Sequence, residues 1–258
     1  MNFVSPPRNV DILGARVDDV TYDEAISICR QAVRSGSRHQ VVTPNAEFVV
    51  FAQRDHAFRE IINCSRLSIP DGHSLLWASR MLGCPLREQV TGTDLAYGLA
   101  GLAANEGYSL YLLGGAEGIA ATAARKLHER YPGLRVAGTY AGSPALSEEQ
   151  RIRDKLLAAA PVDILLVAYG APAQEKWIAR NLSHLDVRLA MGVGGVFDFI
   201  SGRTPRAPRW LRQAGFDWLY RLARQPWRWR RQLTIPQFLW LVLRRRLAGC
   251  VGTYRQRE

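Results

Sequence analysis

Short apolar segments alternate with amphipathic stretches through the first 200 residues of this chain. Residues 109–113 and 163–168 have the length and composition of buried strands, and residues 117–130 and 173–181 follow them with helical periodicity. Because repeated strand–helix alternation is typical of parallel sheets covered by helices, the pattern predicts an α/β fold. We expect a Rossmann-like, mostly parallel sheet flanked by helices.

The net positive charge is concentrated in the last 58 residues. Residues 201–258 contain 14 Arg, no Lys and two acidic residues, whereas residues 1–200 are close to neutral, and five of the seven Trp also lie in this tail. The change in composition at residues 201–208 marks a boundary. The sequence therefore predicts an α/β domain over residues 1–200 and an Arg/Trp-rich helical appendage over residues 201–258, suited to an anionic membrane surface.

Several kinds of site and segment are not expected. The four cysteines are widely spaced, with no CxxC pair and no Cys/His cluster, so we expect no metal site. The first residues have no apolar leader segment, and no run of about 18 apolar residues predicts a transmembrane helix. Residues 113–119 read LGGAEGI rather than GxGxxG, which disfavours a dinucleotide site.

Small or polar residues follow the predicted strands, where ligands bind in open parallel sheets. Glycine lets a backbone approach a phosphate, although a tight turn explains any single glycine equally well. The predicted strand ends of this kind are residues 43–45, 70–72, 114–115, 140–142, 170–172 and 192–195. From these ends we take Gly114, Gly115, Tyr140 and Gly170 as candidate substrate-binding residues. We add Glu175, which lies at the start of the helix predicted after Gly170.

Asp71 is the leading candidate for a general base. It lies between a predicted strand end and Gly72, where a carboxylate can face the crevice and accept a proton from a hydroxyl. The alternative is that Asp71 caps the helix that begins near residue 73. Asp94 and Asp198 are weaker candidates, because packing or capping at a helix N-terminus explains each of them as well.

Seven motifs occur along the chain in the order found in one known family. They are TPNAE at 43–47, PDG at 70–72, VTGTDL at 90–95, LGG at 113–115, GAPAQE at 170–175, GVGGVFD at 192–198 and RAP at 206–208, with WLYRL at 218–222 beyond them. By these motifs the chain resembles the WecG/TagA/CpsF glycosyltransferases over about residues 10–235.

The resemblance implies a GT-E type fold and an inverting transfer of a sugar from a UDP-sugar to a polyprenyl-diphosphate-linked saccharide. It implies no cofactor and no metal, a location at the cytoplasmic face of the membrane, and a role in exopolysaccharide or cell-surface glycan assembly. It makes Asp71 the base and Thr43, Asn45 and Gln174 active-site residues.

The resemblance also assigns three arginines of the tail, Arg221, Arg228 and Arg231, to stabilisation of the UDP leaving group. Two departures from the family pattern are Asp217, where many relatives have Glu, and Ala173, where Lys is frequent. A planar guanidinium that pairs two phosphate oxygens suits the assigned role.

Two other functions stay open at this point: a nucleic-acid-binding protein that uses the basic aromatic tail, and a soluble nucleotide-sugar enzyme. The tail shows no recognised nucleic-acid-binding motif, so we expect no nucleic acid partner. The transferred sugar, the acceptor glycan, the pathway and the presence of a homo-oligomer do not follow from the sequence.

Overall fold

A six-stranded parallel sheet forms the centre of the molecule. The computed structural model describes residues 7–224, 226, 229–249 and 254–255. The described strands are β1 Asn9–Ile12, β2 Ala15–Asp18, β3 His39–Val42, β4 Leu67–Ser68, β5 Ser109–Gly114, β6 Arg135–Tyr140, β7 Val162–Ala168, β8 Val187–Gly192 and β9 Tyr254–Arg255. The central sheet has the order β4-β3-β8-β7-β5-β6, and β2-β1-β9 form a small antiparallel sheet.

Helices connect the strands and cover both faces of the central sheet. In the described residues these are α1 Tyr22–Arg34, α2 Ala46–Ala52, α3 His56–Cys64, α4 His73–Met81, α5 Gly92–Glu106, α6 Ile119–Arg130, α7 Glu149–Ala158, α8 Ala173–Asn181, α9 Val196–Ser201, α10 Arg209–Gln213, α11 Asp217–Arg224, α12 Trp229–Gln232 and α13 Thr234–Leu247. Helix α1 begins with a capping box, in which Thr21 accepts from Glu24 N–H and the Glu24 side chain accepts from Thr21 N–H.

Alternate residues of the central strands enter two different apolar clusters. Leu110 and Leu112 of β5 pack with α1, α5, α6 and α9, whereas Tyr111 and Leu113 pack with α7 and α8 on the opposite face. Because both faces are covered, β5 and β7 are almost continuously apolar, as buried parallel strands are. The expected α/β fold with a parallel sheet between helical layers is confirmed.

The last long helix packs against the body of the protein. Phe238 and Val242 of α13 are fully buried in a third apolar cluster, together with residues of β1, β2, α2, α3 and α4. The boundary between residues 200 and 201 therefore stays a prediction, and at least one helix beyond it is part of the core. No helix in the described part of the chain has both the length and the apolar character that a membrane span needs.

One helix was missed in the sequence. Helix α3 follows α2 after a break of three residues, and its N-cap Asp55 accepts from the Phe58 N–H. The predicted strands 109–113 and 163–168 and the predicted helices 117–130 and 173–181 correspond to β5, β7, α6 and α8, with ends shifted by at most two residues.

Candidate active site

The carboxyl ends of four central strands open into a cleft of about 1070 Å³. The loops after β3, β4, β7 and β8 form its floor, and residues of the tail from Arg206 to Leu239 form its roof. Ligands of open parallel sheets bind at this edge, so the cleft is the candidate active site.

Asp71 and Thr43 lie on neighbouring parts of the floor. Asp71 is partly exposed, whereas Thr43 is buried, and both line the cleft. A methyl group added at Gly92 would lie 3.4 Å from Asp71 Oδ2 and 3.2 Å from Thr43 Cγ2, so both side chains approach the start of α5. The loops that carry them are joined by a hydrogen bond from Asp71 N–H to the Pro44 carbonyl, 2.8 Å long.

The helix beyond Asp71 does not use that residue as its cap. Helix α4 begins at His73 with Gly72 at the N-cap position, and Gly72 has φ of 135°, a conformation that favours glycine. The capping explanation for Asp71 is therefore wrong. Asn45 is a true N-cap, since its Oδ1 accepts from Phe48 N–H at 3.2 Å, and it also lines the cleft.

Gln174 connects two loops of the floor. Its Oε1 accepts from Gly170 N–H at 3.0 Å and from Gly194 N–H at 2.9 Å, and its Nε2 donates to Glu175 Oε1 at 2.7 Å. Gly170, which the sequence indicated as a substrate-binding residue, lines the cleft, as Gln174 does. Every polar atom of the Gln174 side chain is thus engaged by the protein.

Glu175 lies beneath the floor rather than on it. Its side chain is fully buried, and burial raises the pKa of this carboxyl to about 7, although the hydrogen bond from Gln174 acts in the opposite direction. Of its two oxygens, Oε2 has no hydrogen-bond partner among the described residues. The position does not favour direct contact between Glu175 and a substrate.

Three other predicted binding residues do not line the cleft. Gly114 is required for close packing, because a Cβ there would lie 2.8 Å from the Ala168 backbone, and Gly115 N–H donates to the Ala168 carbonyl at 3.0 Å. Tyr140 packs under Lys155 of α7, whose Nζ lies 4.7 Å from the ring centroid. A substrate-binding role for Gly114, Gly115 and Tyr140 stays a prediction without geometric support.

A charge cluster fixes the start of the tail to the rim of the cleft. Arg206 donates to both Asp94 oxygens, at 2.6 and 2.9 Å, and to Thr91 Oγ1 at 3.2 Å. Burial alone would raise the pKa of Asp94, but the hydrogen bonds from Arg206 and Thr91 outweigh it and hold that pKa below its usual value. Asp94 is therefore a partner of the tail as well as a residue of the first turn of α5.

A second pair fixes the tail further along. Arg231 donates through Nε and Nη2 to the two oxygens of Glu47, at 2.7 and 2.8 Å, and these hydrogen bonds raise the Arg231 pKa. The charge of Arg231 is thus balanced by a carboxylate. Arg228 lies outside the described residues, as does the side chain of Arg221, so their predicted roles are untested.

Two arginines that line the cleft were missed in the sequence. Arg209 and Arg212 of α10 face the floor, and no described carboxylate lies within ion-pair distance of either. Arg212 Nε donates to the Ala207 carbonyl at 3.1 Å, which holds the side chain against its own loop. The signal in the sequence is the repeat of arginine at every third position from Arg206.

The carboxylates of the cleft do not form a cation-binding cluster. Among the described residues, no group of three or more His, Cys, Asp or Glu side chains is arranged to hold a metal ion. Asp198 lines the cleft, and its carboxylate lies 3.6 Å from the Arg203 guanidinium in an exposed pair.

Comparison with known proteins identifies relatives over most of the chain. The model of the Glycosyl transferase WecG/TagA/CpsF family matches residues 10–250. An N-acetylglucosaminyldiphosphoundecaprenol N-acetyl-beta-D-mannosaminyltransferase of Bacillus subtilis (strain 168) is 32% identical over 205 residues, 79% of this chain and 78% of the relative. Proteins of the same name from Bacillus spizizenii and Staphylococcus aureus (strain MRSA252) are 30% and 28% identical, over 83% and 92% of this chain and 82% and 93% of the relatives.

The family match covers the whole cleft, from the strand ends of the floor to the arginines of the roof. The resemblance indicated by the ordered motifs is therefore confirmed, and the chain is a glycosyltransferase that belongs to the WecG/TagA/CpsF family.

Proposed function

We propose that this enzyme transfers an N-acetylmannosamine-type sugar from a UDP-sugar to a polyprenyl-diphosphate-linked N-acetylglucosamine, with inversion at the anomeric carbon. The acceptor and the sugar are those in the names of the relatives. The UDP donor and the inverting course are what the family resemblance implied. The glycan pathway, exopolysaccharide or another surface polymer, is left to the acceptor assay described below.

The base in this proposal is Asp71. Its carboxylate takes the proton of the acceptor hydroxyl as that oxygen attacks the anomeric carbon, and the bond from that carbon to the diphosphate breaks on the opposite face. The electron pair of the broken bond leaves with UDP. General bases of this kind contribute about 10² to 10⁴-fold to rate. The position of Asp71, on the cleft wall and not in a helix cap, supports this role.

The leaving diphosphate needs positive charge, which arginine supplies in a bidentate form. Arg206 and Arg231 are already paired with carboxylates. We therefore assign the diphosphate to Arg209 and Arg212, in addition to the predicted but undescribed side chains of Arg221 and Arg228. The observation that carries the proposal is that a carboxylate of the floor and two arginines of the roof, neither in an ion pair with a described carboxylate, line one cleft.

A lipid-linked acceptor requires the enzyme to work at a membrane surface. The tail exposes large apolar side chains in the roof and beyond it. Trp210 is 68% exposed, Trp240 57% and Leu247 79%, and Arg244 and Arg246 lie between the last two in the sequence. Aromatic rings and arginines together favour the headgroup layer of anionic lipid. We propose a peripheral association, at the cytoplasmic face where nucleotide sugars are found.

The function is tested by a transfer assay. The full-length protein is incubated with a panel of UDP-sugars and short-chain polyprenyl-diphosphate acceptors that carry N-acetylglucosamine or another first sugar, and UDP release and the product anomer are measured. Transfer from UDP-N-acetylmannosamine with inversion supports the proposal. No transfer with any UDP-sugar, or retention of configuration, contradicts it. Co-sedimentation with anionic vesicles, but not with neutral ones, tests the membrane assignment.

A further inference from the structure

Two strand-end loops of the cleft floor depend on a single side chain. The loops at Gly170 and Gly194 follow β7 and β8, which are neighbours in the sheet, and both residues have positive φ values, 79° and 54°. Each loop directs its glycine N–H at Gln174 Oε1 rather than into the cleft. One amide oxygen therefore joins the two loops, beyond the backbone hydrogen bond from Val193 N–H to the Val167 carbonyl at the ends of the two strands.

A carboxamide has one acceptor end and one donor end, so its orientation is decided by both neighbours. The two glycine N–H groups require the oxygen of Gln174 on their side. The Nε2 end then points inward, where a buried donor needs an acceptor, and Glu175 Oε1 provides it at 2.7 Å. Without that acceptor, Nε2 would be a buried donor with no partner among the described residues, and only the two glycine N–H groups would hold the amide in this orientation.

The residues around Glu175 leave room for its hydrogen bond with Gln174 and fix its backbone. The Glu175 side chain is 0% exposed, and its one described hydrogen bond is the one from Gln174. Gln40 of β3 donates to the Glu175 main-chain carbonyl at 3.2 Å and fixes the backbone. A Cβ at Gly192 would lie 2.5 Å from both Gln174 Nε2 and Glu175 Oε1, so only glycine leaves room for the pair against β8.

We propose that Glu175 is a positioning residue: it orients the Gln174 amide and thereby holds the Gly170 and Gly194 loops in the arrangement that receives the donor sugar nucleotide. Burial of a carboxyl group for one hydrogen bond is unfavourable for folding alone. The same carboxyl is explained as the acceptor for the Nε2 end of the Gln174 amide, which leaves the Oε1 end to the two glycine N–H groups. The identity of the ligand in this inference rests on the proposed function. The contacts between Gln174 and the two loops do not depend on it.

The test compares four variants of the full-length protein. Glu175→Met removes the acceptor at similar volume, and Glu175→Gln keeps an acceptor oxygen. Gln174→Glu places two carboxyl groups together, and the exchanged pair Gln174→Glu with Glu175→Gln restores one donor and one acceptor in reversed order. Asn181→Leu is the control, since Asn181 is buried at the far end of the same helix, where it donates to the Trp177 carbonyl.

Two measurements are made on each variant: hydrogen–deuterium exchange of the Gly170 and Gly194 amides without substrate, and kcat and KM for the donor. Glu175→Met is expected to accelerate exchange of both amides about 5- to 10-fold and to lower kcat/KM about 10-fold or more. Glu175→Gln should stay within about 3-fold of wild type, and the exchanged pair should recover most of the loss seen in Gln174→Glu.

The proposal is overturned by unchanged exchange in Glu175→Met, by equal damage in Glu175→Gln and Glu175→Met, or by the same kinetic loss in Asn181→Leu. If Glu175→Met does not fold, the double variant Gln174→Glu with Glu175→Gln provides the test. A kcat/KM as low as that of Gln174→Glu alone would contradict the proposal. Exchange that responds as expected in a protein without UDP-sugar transfer would refute the proposed function and leave the loop contact intact.

Discussion

The floor and the roof of the cleft are held in place by different forces. The floor is made of strand-end loops fixed by backbone hydrogen bonds, buried side chains and the Gln174 contacts. The roof is made of short helices that carry exposed arginines and tryptophans. In the described part of the chain, the ion pairs Arg206–Asp94 and Arg231–Glu47 join it to the body, and the apolar face of α13 packs against the body. Under the proposed function, the floor carries the proposed base Asp71, and the roof carries the arginines proposed to bind the leaving diphosphate.

The largest effect is expected from the floor. Asp71→Asn removes the base without changing the size of the side chain, so kcat should fall about 100-fold or more while the protein stays folded. Asp198→Asn is the control, because Asp198 also lines the cleft but lies against Arg203. Steady-state kinetics with the proposed UDP-sugar donor and polyprenyl-diphosphate-linked acceptor measure the loss in both variants. Equal losses in the two variants would remove the distinction between Asp71 and any cleft carboxylate.

Two aromatic residues of α13 test how the tail is attached to the body of the protein. Phe238 is fully buried, whereas Trp240 is 57% exposed. Phe238→Ala should lower the free energy of unfolding by about 3–5 kcal/mol, whereas Trp240→Ala should change it by less than about 0.5 kcal/mol. Denaturant titration measures both. Near-equal values would mean that α13 is not part of the core and that the tail is a separate appendage after all.

How far the sequence predicts this architecture depends on the range of the interaction. The capping box of α1 and the apolar strands β5 and β7 are encoded within a few residues, and both are recognisable in the sequence. The pairs Arg206–Asp94 and Arg231–Glu47 join residues 112 and 184 positions apart. No periodicity encodes contacts of that range, and the roof could not be assembled from the pattern alone.

The site residues likewise differ in how well the local sequence predicts their position. Asp71 was recognisable because a carboxylate after a strand and before a glycine points to the crevice. Gly114 was ambiguous, since close strand packing and phosphate binding both require glycine, and the structure shows the close packing. Glu175 carries the same chemical groups whether it meets a substrate or lies beneath the floor, and only its burial distinguishes the two.

The buried carboxyl of the floor should appear in the pH dependence of stability. Burial raises the Glu175 pKa from 4.5 to about 7, helped by the nearby Glu47 charge and opposed by the Gln174 hydrogen bond. The folded state therefore holds a proton that the unfolded chain releases, and the stability contribution is lost as the pH rises from about 4.5 to about 7. The loss should reach about 3 kcal/mol relative to Glu175→Gln, and be constant above that range. Unfolding free energies that run parallel in the two proteins would contradict the assignment.

The smallest effect is expected at the edge of the roof. Arg206→Met breaks the pair with Asp94 and loosens the segment before α10, so the donor KM should rise about 5-fold with a minor loss of stability, because the pair is partly exposed. Arg34→Met breaks the Glu106 pair away from the cleft and should leave KM unchanged. Asp94→Asn should not add to Arg206→Met, since both remove one interaction. Additive effects would mean that the two residues act separately.

The affinity for UDP tests most directly the claim that the roof binds the leaving group and the floor supplies the base. Isothermal titration of UDP is carried out on wild type, on Asp71→Asn and on the pair Arg209→Gln with Arg212→Gln. The account predicts that Asp71→Asn binds UDP within about 3-fold of wild type, whereas the double arginine variant binds at least about 10-fold more weakly, because charge-assisted hydrogen bonds to the diphosphate are lost. Unchanged UDP affinity in the double variant would contradict the claim that the roof holds the leaving group.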